Sequence, residues 1–142
     1  MCHTIKFTIT EGTSIGTSFT VRLAGVDAPE ISHRKGRAGQ PFGPESTANL
    51  RRLIEGKAIS VQQIDKDRYG RLVGLIYVGS INVNVLQVSG GFAEAYREYL
   101  KGLPQPVRDQ IGEAERTAKA RRLGIWSLAV YERPSDFRKR KQ

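Results

Sequence analysis

The chain has 142 residues, a mass of 15.8 kDa and a formal net charge of +9, with 39% apolar and 26% charged residues. This length predicts one domain with its own core, and the composition excludes a disordered chain. The single cysteine, Cys2, excludes an internal disulfide framework and a cysteine-based zinc site. No apolar run reaches the roughly 18 residues that a membrane helix needs. The basic excess favours a polyanionic partner.

The first half of the sequence predicts two strands and a helix. Residues 4–10 alternate apolar and polar side chains, as a half-buried strand does. A second strand over residues 18–25 places Arg22 on the face opposite to its apolar side chains. A polar, glycine-rich loop over residues 31–43 leads to a helix over residues 44–54, which opens with proline and glutamate.

The second half predicts three further strands and two further helices. The strands span residues 58–64, 71–78 and 92–95, and the helices span residues 83–88 and 107–122. Short strands with interleaved and appended helices favour a small α+β barrel over a parallel sheet. We expect this domain to occupy residues 1–130, followed by a basic and frayed tail over residues 131–142.

Two arginines and two carboxylates have side chains suited to phosphodiester hydrolysis. The planar guanidinium groups of Arg22 and Arg71, on different strands, could hold one phosphate from two sides. Asp27 offers a hard oxygen ligand for Ca²⁺, and Glu30 could hold or deprotonate an attacking water. Each group also has an ordinary alternative. The arginines could be surface cations, and residues 27–30 could form a plain capped turn.

Three motifs in one register resemble the staphylococcal nuclease (thermonuclease) family over about residues 4–138. They are Arg22–Glu30 (RLAGVDAPE), Asp67–Arg71 (DRYGR) and the ending that contains Ala118, Arg121 and Gly124–Trp126. The segment Gly39–Gly43 (GQPFG), followed by a helix, looks like bacterial members of that family. The resemblance implies a five-stranded barrel of the OB type with three helices, Ca²⁺ as cofactor, DNA or RNA as substrate and 3′-phosphate products.

The resemblance also implies roles for individual residues. Arg22 and Arg71 would bind the phosphate, Glu30 would act as base or orient the water, and Asp27 with the Ala28 carbonyl would bind calcium. The resemblance places Tyr96 and Tyr99 near the nucleotide. Two further candidates for substrate contact are Arg68 and Tyr69. For Tyr96 and Tyr99, packing within the fold is an equal alternative.

The N-terminus departs from the family pattern. An Asp-Gly-Asp-Thr run is usual there, but Met1–Thr4 reads Met-Cys-His-Thr, so that His3 takes the place of a calcium-binding Asp. Imidazole suits transition metals better than Ca²⁺, which predicts weak calcium binding. The register also leaves the barrel short of its first strand, which predicts an unpaired edge and, besides a monomer, a dimer through that edge. No signal-peptide layout is present, as in a cytoplasmic or a mature secreted protein.

The sequence therefore predicts a metal-dependent nuclease that cuts DNA, RNA or both and has no membrane partner. The alternative is a weakened or inactive nucleic-acid-binding module on the same barrel, which His3 favours. A third hypothesis is a protein-interaction domain that uses the barrel surface.

Overall fold

The computed structural model describes residues 4–10, 13–31 and 38–140 of the chain. The strands are β1 (Thr4–Thr8), β2 (Ser18–Leu23), β3 (Val26–Asp27), β4 (Ser60–Lys66), β5 (Leu72–Val78), β6 (Ile81–Asn82) and β7 (Glu94–Ala95). The helices are α1 (Gly43–Ile54), α2 (Val83–Ser89), α3 (Gln105–Ala120) and α4 (Pro134–Arg140), with 3-10 turns at Arg97–Gly102 and Gly124–Ser127.

Five strands form one sheet in the order β1-β2-β5-β4, with β6 also paired to β5. All neighbours are antiparallel except β2 and β5, which are parallel. The predicted α+β class with a five-stranded sheet is confirmed. The strand predicted over residues 92–95 is present as β7, but it pairs with β3 in a separate two-stranded sheet. In the described ranges the sheet order ends at β1 and β4, so barrel closure and dimerisation through an edge remain predictions.

One core cluster joins buried apolar side chains of the sheet and of the helices. Val21 and Leu23 of β2 are fully buried in it, whereas Arg22 between them is only half-buried, as the alternation of a strand requires. Helix α3 packs chiefly against α2 and contributes a buried stripe at helical spacing, with Ile111 fully buried at its centre. The opposite side of β2 is thereby left for polar side chains.

A buried asparagine fixes the turn between β2 and β3. The side chain of Asn84 accepts from the Ile76 amide at 3.1 Å and donates to the Ala24 carbonyl at 3.0 Å. Gly25 has a φ of +74° in that turn, and a Cβ there would come within 2.6 Å of Leu103. These contacts determine where the chain leaves β2 and enters the segment that carries Asp27 and Glu30.

The C-terminal segment differs from the frayed tail that the sequence predicted. Three helices and a frayed tail were expected, but the described residues contain a fourth helix, α4, over Pro134–Arg140. Proline opens this helix, Asp136 lies in its first turn and three basic side chains lie in its last turn, an order that suits the helix dipole. Within the described ranges, no helix is both long and apolar enough to span a bilayer.

Candidate active site

The two predicted phosphate-binding arginines lie on the same side of the sheet. Arg22 pairs in register with Val73 across the parallel β2–β5 ladder. Arg71 directly precedes β5, two residues before Val73, and the alternation of the strand, continued back by one residue, puts it on the side of Val73. Both guanidinium groups therefore lie on the face opposite to the core, which we call the arginine face.

A cavity of about 830 Å³ opens on the arginine face. Its lining is rich in cationic and aromatic side chains, among them Arg22, Arg68, Tyr69, Arg71, Tyr99 and Arg138. Five of these six are residues that the sequence analysis selected. The sixth, Arg138, belongs to helix α4 and was not selected.

Arg71 is held in place by the turn that precedes it. Asp67 accepts from the Arg71 amide at 2.9 Å and from its Nε at 2.7 Å, and also from the Tyr69 amide at 2.9 Å. Gly70 closes the turn at a φ of +81°. Desolvation raises the pKa of Asp67, but these hydrogen bonds and the Arg71 charge lower it below its ordinary value. The carboxylate therefore stays ionised and orients the Arg71 side chain.

Aromatic rings flank the arginines. Tyr96 and Tyr99 stack with their centroids 4.8 Å apart, and the Arg22 guanidinium lies 5.8 Å and 5.4 Å from their centroids. Tyr96 is buried in this stack, whereas Tyr99 is 56% exposed. Tyr69 is 70% exposed and lies beneath Arg68 and Arg71. Tyr69 and Tyr99 thus offer open ring surfaces beside the cavity.

The two predicted carboxylates are buried and are not among the described residues that line the cavity. Asp27 is fully buried and Glu30 is 7% exposed. Arg138 binds both: its Nη2 donates to Asp27 Oδ2 at 3.0 Å, and its Nη1 donates to Asp27 Oδ1 at 3.1 Å and to Glu30 Oε1 at 2.7 Å. One guanidinium therefore bridges the two carboxylates, and its own side chain reaches the cavity.

The segment Gly39–Gly43 fixes the backbone at Glu30. The Gln40 side chain accepts from the Glu30 amide at 3.0 Å, and the Gln40 amide donates to the Glu30 carbonyl at 2.8 Å. Gly43, at the start of α1, packs so closely that a Cβ there would lie 2.6 Å from the same carbonyl. The Gln40 Nε2 also donates to the Glu132 carbonyl at 2.8 Å, which ties this clamp to the chain just before α4.

A third buried carboxylate faces Asp27 across the small sheet. Glu94 is the register partner of Asp27 and bonds Arg133 at 3.2 Å. Burial raises the pKa of Glu94 to about 7, against the opposing charge of Arg133 and with added repulsion from Asp27 and Glu115. Arg133 and Arg138 therefore both bring positive charge from the C-terminal segment to buried acids.

The two carboxylates that Arg138 binds carry the type of oxygen ligand that a hard divalent cation prefers. Carboxylate oxygens of Asp27 and Glu30 already converge on one cationic group, the Arg138 guanidinium, and Ca²⁺ prefers such oxygens. Ala28, the predicted carbonyl ligand, is fully buried beside them. Over the described ranges, no three His, Cys, Asp or Glu side chains group as a metal site, and His3 lies outside those ranges. A metal ion would thus take the place of the guanidinium, with only two carboxylates from these residues.

Sequence reasoning missed Arg138 and the role of Gln40. The basic C-terminus was visible as a charge run, but a charge run does not indicate which acid it meets 108 residues upstream. The Gly39–Gly43 motif was visible too, although the pairing of Gln40 with Glu30 depends on the folded path of the loop.

Comparisons with known proteins show the family of this chain. The family model of the staphylococcal nuclease homologue matches residues 20–128. Endonuclease Htp3 of Saprolegnia parasitica is 35% identical over 129 residues, which cover 88% of this chain and 60% of that protein. Staphylococcal-like nuclease CAN1 of Arabidopsis thaliana is 32% identical over 128 residues, covering 90% and 36%. Probable endonuclease LCL3 of Zygosaccharomyces rouxii is 33% identical over 127 residues, covering 87% and 46%.

The chain spans between 36% and 60% of the lengths of these three relatives. The matched residues 20–128 include both arginines of the arginine face and the carboxylates Asp27 and Glu30, whereas Arg138 lies beyond them. Since the family model covers well over half of the chain, the chain belongs to the staphylococcal nuclease homologue family.

Proposed function

We propose that the chain hydrolyses phosphodiester bonds of DNA, RNA or both in the cavity on the arginine face. The observation that carries this proposal is that Arg22 of β2 and Arg71, directly before β5, line one open cavity, and that Arg138, which also lines it, binds Asp27 and Glu30. This arrangement concentrates positive charge in the cavity, and Arg138 links the cavity to a carboxylate that could serve as base. The names of the relatives, endonuclease and staphylococcal-like nuclease, support the same chemistry.

Arg22 and Arg71 would bind the oxygens of the scissile phosphate. Charge builds up on these oxygens when phosphorus becomes five-coordinate, and donors already in position stabilise that charge without reorganisation. Arg71 is preorganised by Asp67, and Arg22 by the tyrosine pair. The exposed rings of Tyr69 and Tyr99 are suited to bases that stack, which favours substrate regions with unpaired bases.

Glu30 would hold and deprotonate the attacking water. Its backbone is fixed by Gln40 and its side chain lies within reach of the arginine that lines the cavity. We propose that a divalent cation, Ca²⁺ by family resemblance, binds Asp27 and the Ala28 carbonyl when Arg138 is absent from Asp27. Such an ion neutralises phosphate charge and lowers the pKa of bound water.

A second candidate is a nucleic-acid-binding module without catalysis. The contact of Arg138 with both carboxylates favours it, because this contact occupies the oxygens that a base or a metal ligand would need. Both candidates predict strongly salt-dependent binding to nucleic acid through the arginine face. Only the first predicts broken phosphodiester bonds.

Incubation of the purified chain with supercoiled plasmid and with RNA tests the proposal. The set includes Ca²⁺, Mg²⁺, Mn²⁺ and EDTA, and Arg22→Ala prepared in the same way controls for contaminating nuclease. We expect cleavage by the natural chain and, because one positioned donor is lost, on the order of 100- to 1,000-fold slower cleavage by Arg22→Ala. Binding without cleavage under all conditions would refute the enzyme and leave the binding module.

A further inference from the structure

The last described helix reaches back to the carboxylates near the start of the chain. Arg138 of α4 is 111 residues from Asp27 and 108 from Glu30, and it makes three hydrogen bonds to them between 2.7 and 3.1 Å. Two of these bonds form a parallel pair with the two oxygens of Asp27. This two-point geometry is the strong and directional form of an arginine–carboxylate contact.

The contact lies in a poorly hydrated place. Asp27 is fully buried, and the Arg138 side chain is only 27% exposed. A buried carboxylate is costly unless charged or hydrogen-bonding groups satisfy it, so the two bonds from the Arg138 guanidinium stabilise Asp27 here.

A guanidinium and a divalent cation cannot hold these oxygens together. Calcium binds carboxylate oxygens at roughly 2.3–2.6 Å. An ion at that distance from both Asp27 oxygens would overlap the space of Nη1 and Nη2, which lie 3.1 and 3.0 Å from them. Occupation of the carboxylates by Arg138 therefore excludes the metal ion, and the metal ion excludes Arg138.

The helix that carries Arg138 is short, and the chain before it has contacts of its own with the domain. It has seven residues, which is too short for a helix that is stable in isolation. The chain just before it is anchored independently, by Gln40 at the Glu132 carbonyl and by Glu94 at Arg133. Arg140 in its last turn bonds Glu132 of the same C-terminal segment, so this pair does not hold the helix to the domain.

We propose that α4 is an internal inhibitor in which Arg138 competes with a divalent cation for Asp27 and at the same time occupies Glu30. In the closed state, the one described here, the guanidinium binds both carboxylates. In the open state α4 has left, Asp27 can accept the metal ion and Glu30 can act on water. The apparent metal affinity is lowered by the fraction of molecules in the open state. The inference rests on the cation site of the proposed function.

Calorimetric titration of the full chain with Ca²⁺ tests the competition directly. Arg138→Gln removes the competing charge, whereas Arg140→Gln removes the same charge from the same helix without touching Asp27 or Glu30. We expect Arg138→Gln to bind Ca²⁺ on the order of 10- to 100-fold more tightly than the natural chain, the factor expected for lost hydrogen bonds between charged groups. Arg140→Gln should match the natural chain within about threefold.

Amide hydrogen exchange of the unmodified chain gives a second readout that depends on no variant. Saturating Ca²⁺ should raise exchange in residues 134–140 and leave α3 unchanged, because only α4 must move. Equal calcium affinity of the natural chain and Arg138→Gln, unchanged exchange in α4, or no calcium binding by any variant would each overturn the inference. Cleavage that persists in EDTA would in the last case leave the proposed hydrolysis intact.

Discussion

The arginine face and the buried carboxylates are built by different means. Arg22 lies on β2 and Arg71 lies directly before β5, so the β2–β5 register brings them together, and the turn that begins at Asp67 orients Arg71. Asp27 and Glu30 are buried and are bound by Arg138, more than a hundred residues away. In both regions the fold unites residues that are distant in sequence, but the arginines meet through strand pairing, whereas the buried acids depend on a cation from a separate helix.

The same comparison explains why the C-terminal segment is a helix against the domain. Glu94, Asp27 and Glu30 are all buried acids, and Arg133 and Arg138 are the cations that reach them. Burying a carboxylate without a cationic partner costs several kcal/mol per ion. The basic C-terminus therefore stabilises the fold in addition to raising the net charge.

The largest expected effect is at Glu30, because its contact with Arg138 connects the buried carboxylates to the cavity on the arginine face. Glu30→Gln keeps the shape but removes the base, so cleavage should fall on the order of 100- to 10,000-fold. Glu98→Gln is the matched control, since Glu98 is an exposed glutamate that lines the same cavity. Initial cleavage rates of the two variants on one plasmid substrate make the measurement. Equal rates for both would remove Glu30 from the chemistry.

A smaller effect is expected on the free energy of unfolding, through the buried carboxyl group of Glu94. The pKa of Glu94 is raised from 4.5 to about 7 in the folded chain, so between these pH values the folded state holds a proton that the unfolded state has lost. The free energy of unfolding should therefore fall as pH rises through this window, by up to roughly 3 kcal/mol from this group, and change no further above it.

Urea unfolding at pH 5 and pH 8 measures this dependence, with Glu94→Gln as the reference. The natural chain should lose stability relative to Glu94→Gln between the two pH values, because glutamine has no proton to lose. An unchanged difference between the two proteins would mean that Glu94 titrates normally and that Arg133 fully compensates its burial.

Features that depend on neighbours in sequence could be predicted, whereas features that depend on contacts between distant segments could not. The strand alternation around Arg22 and the turn around Arg71 depend on neighbours in sequence, and both were predictable from residue patterns. The position of Tyr96 within a stack and the role of Gln40 depend on how the loop and the 3-10 turn fold back. The contact of Arg138 with Asp27 could not be predicted, because no residue pattern around position 138 indicates which acid this arginine meets.

The central claim is that the arginine face carries the chemistry, and two arginines of one turn test it most directly. Arg68 and Arg71 both line the cavity, but only Arg71 lies on the strand face of Arg22 and is oriented by Asp67. Single-turnover cleavage of a fluorescent oligonucleotide should slow on the order of 100- to 1,000-fold in Arg71→Ala and less than about tenfold in Arg68→Ala. Equal slowing in both variants, or none in Arg71→Ala, would contradict the claim.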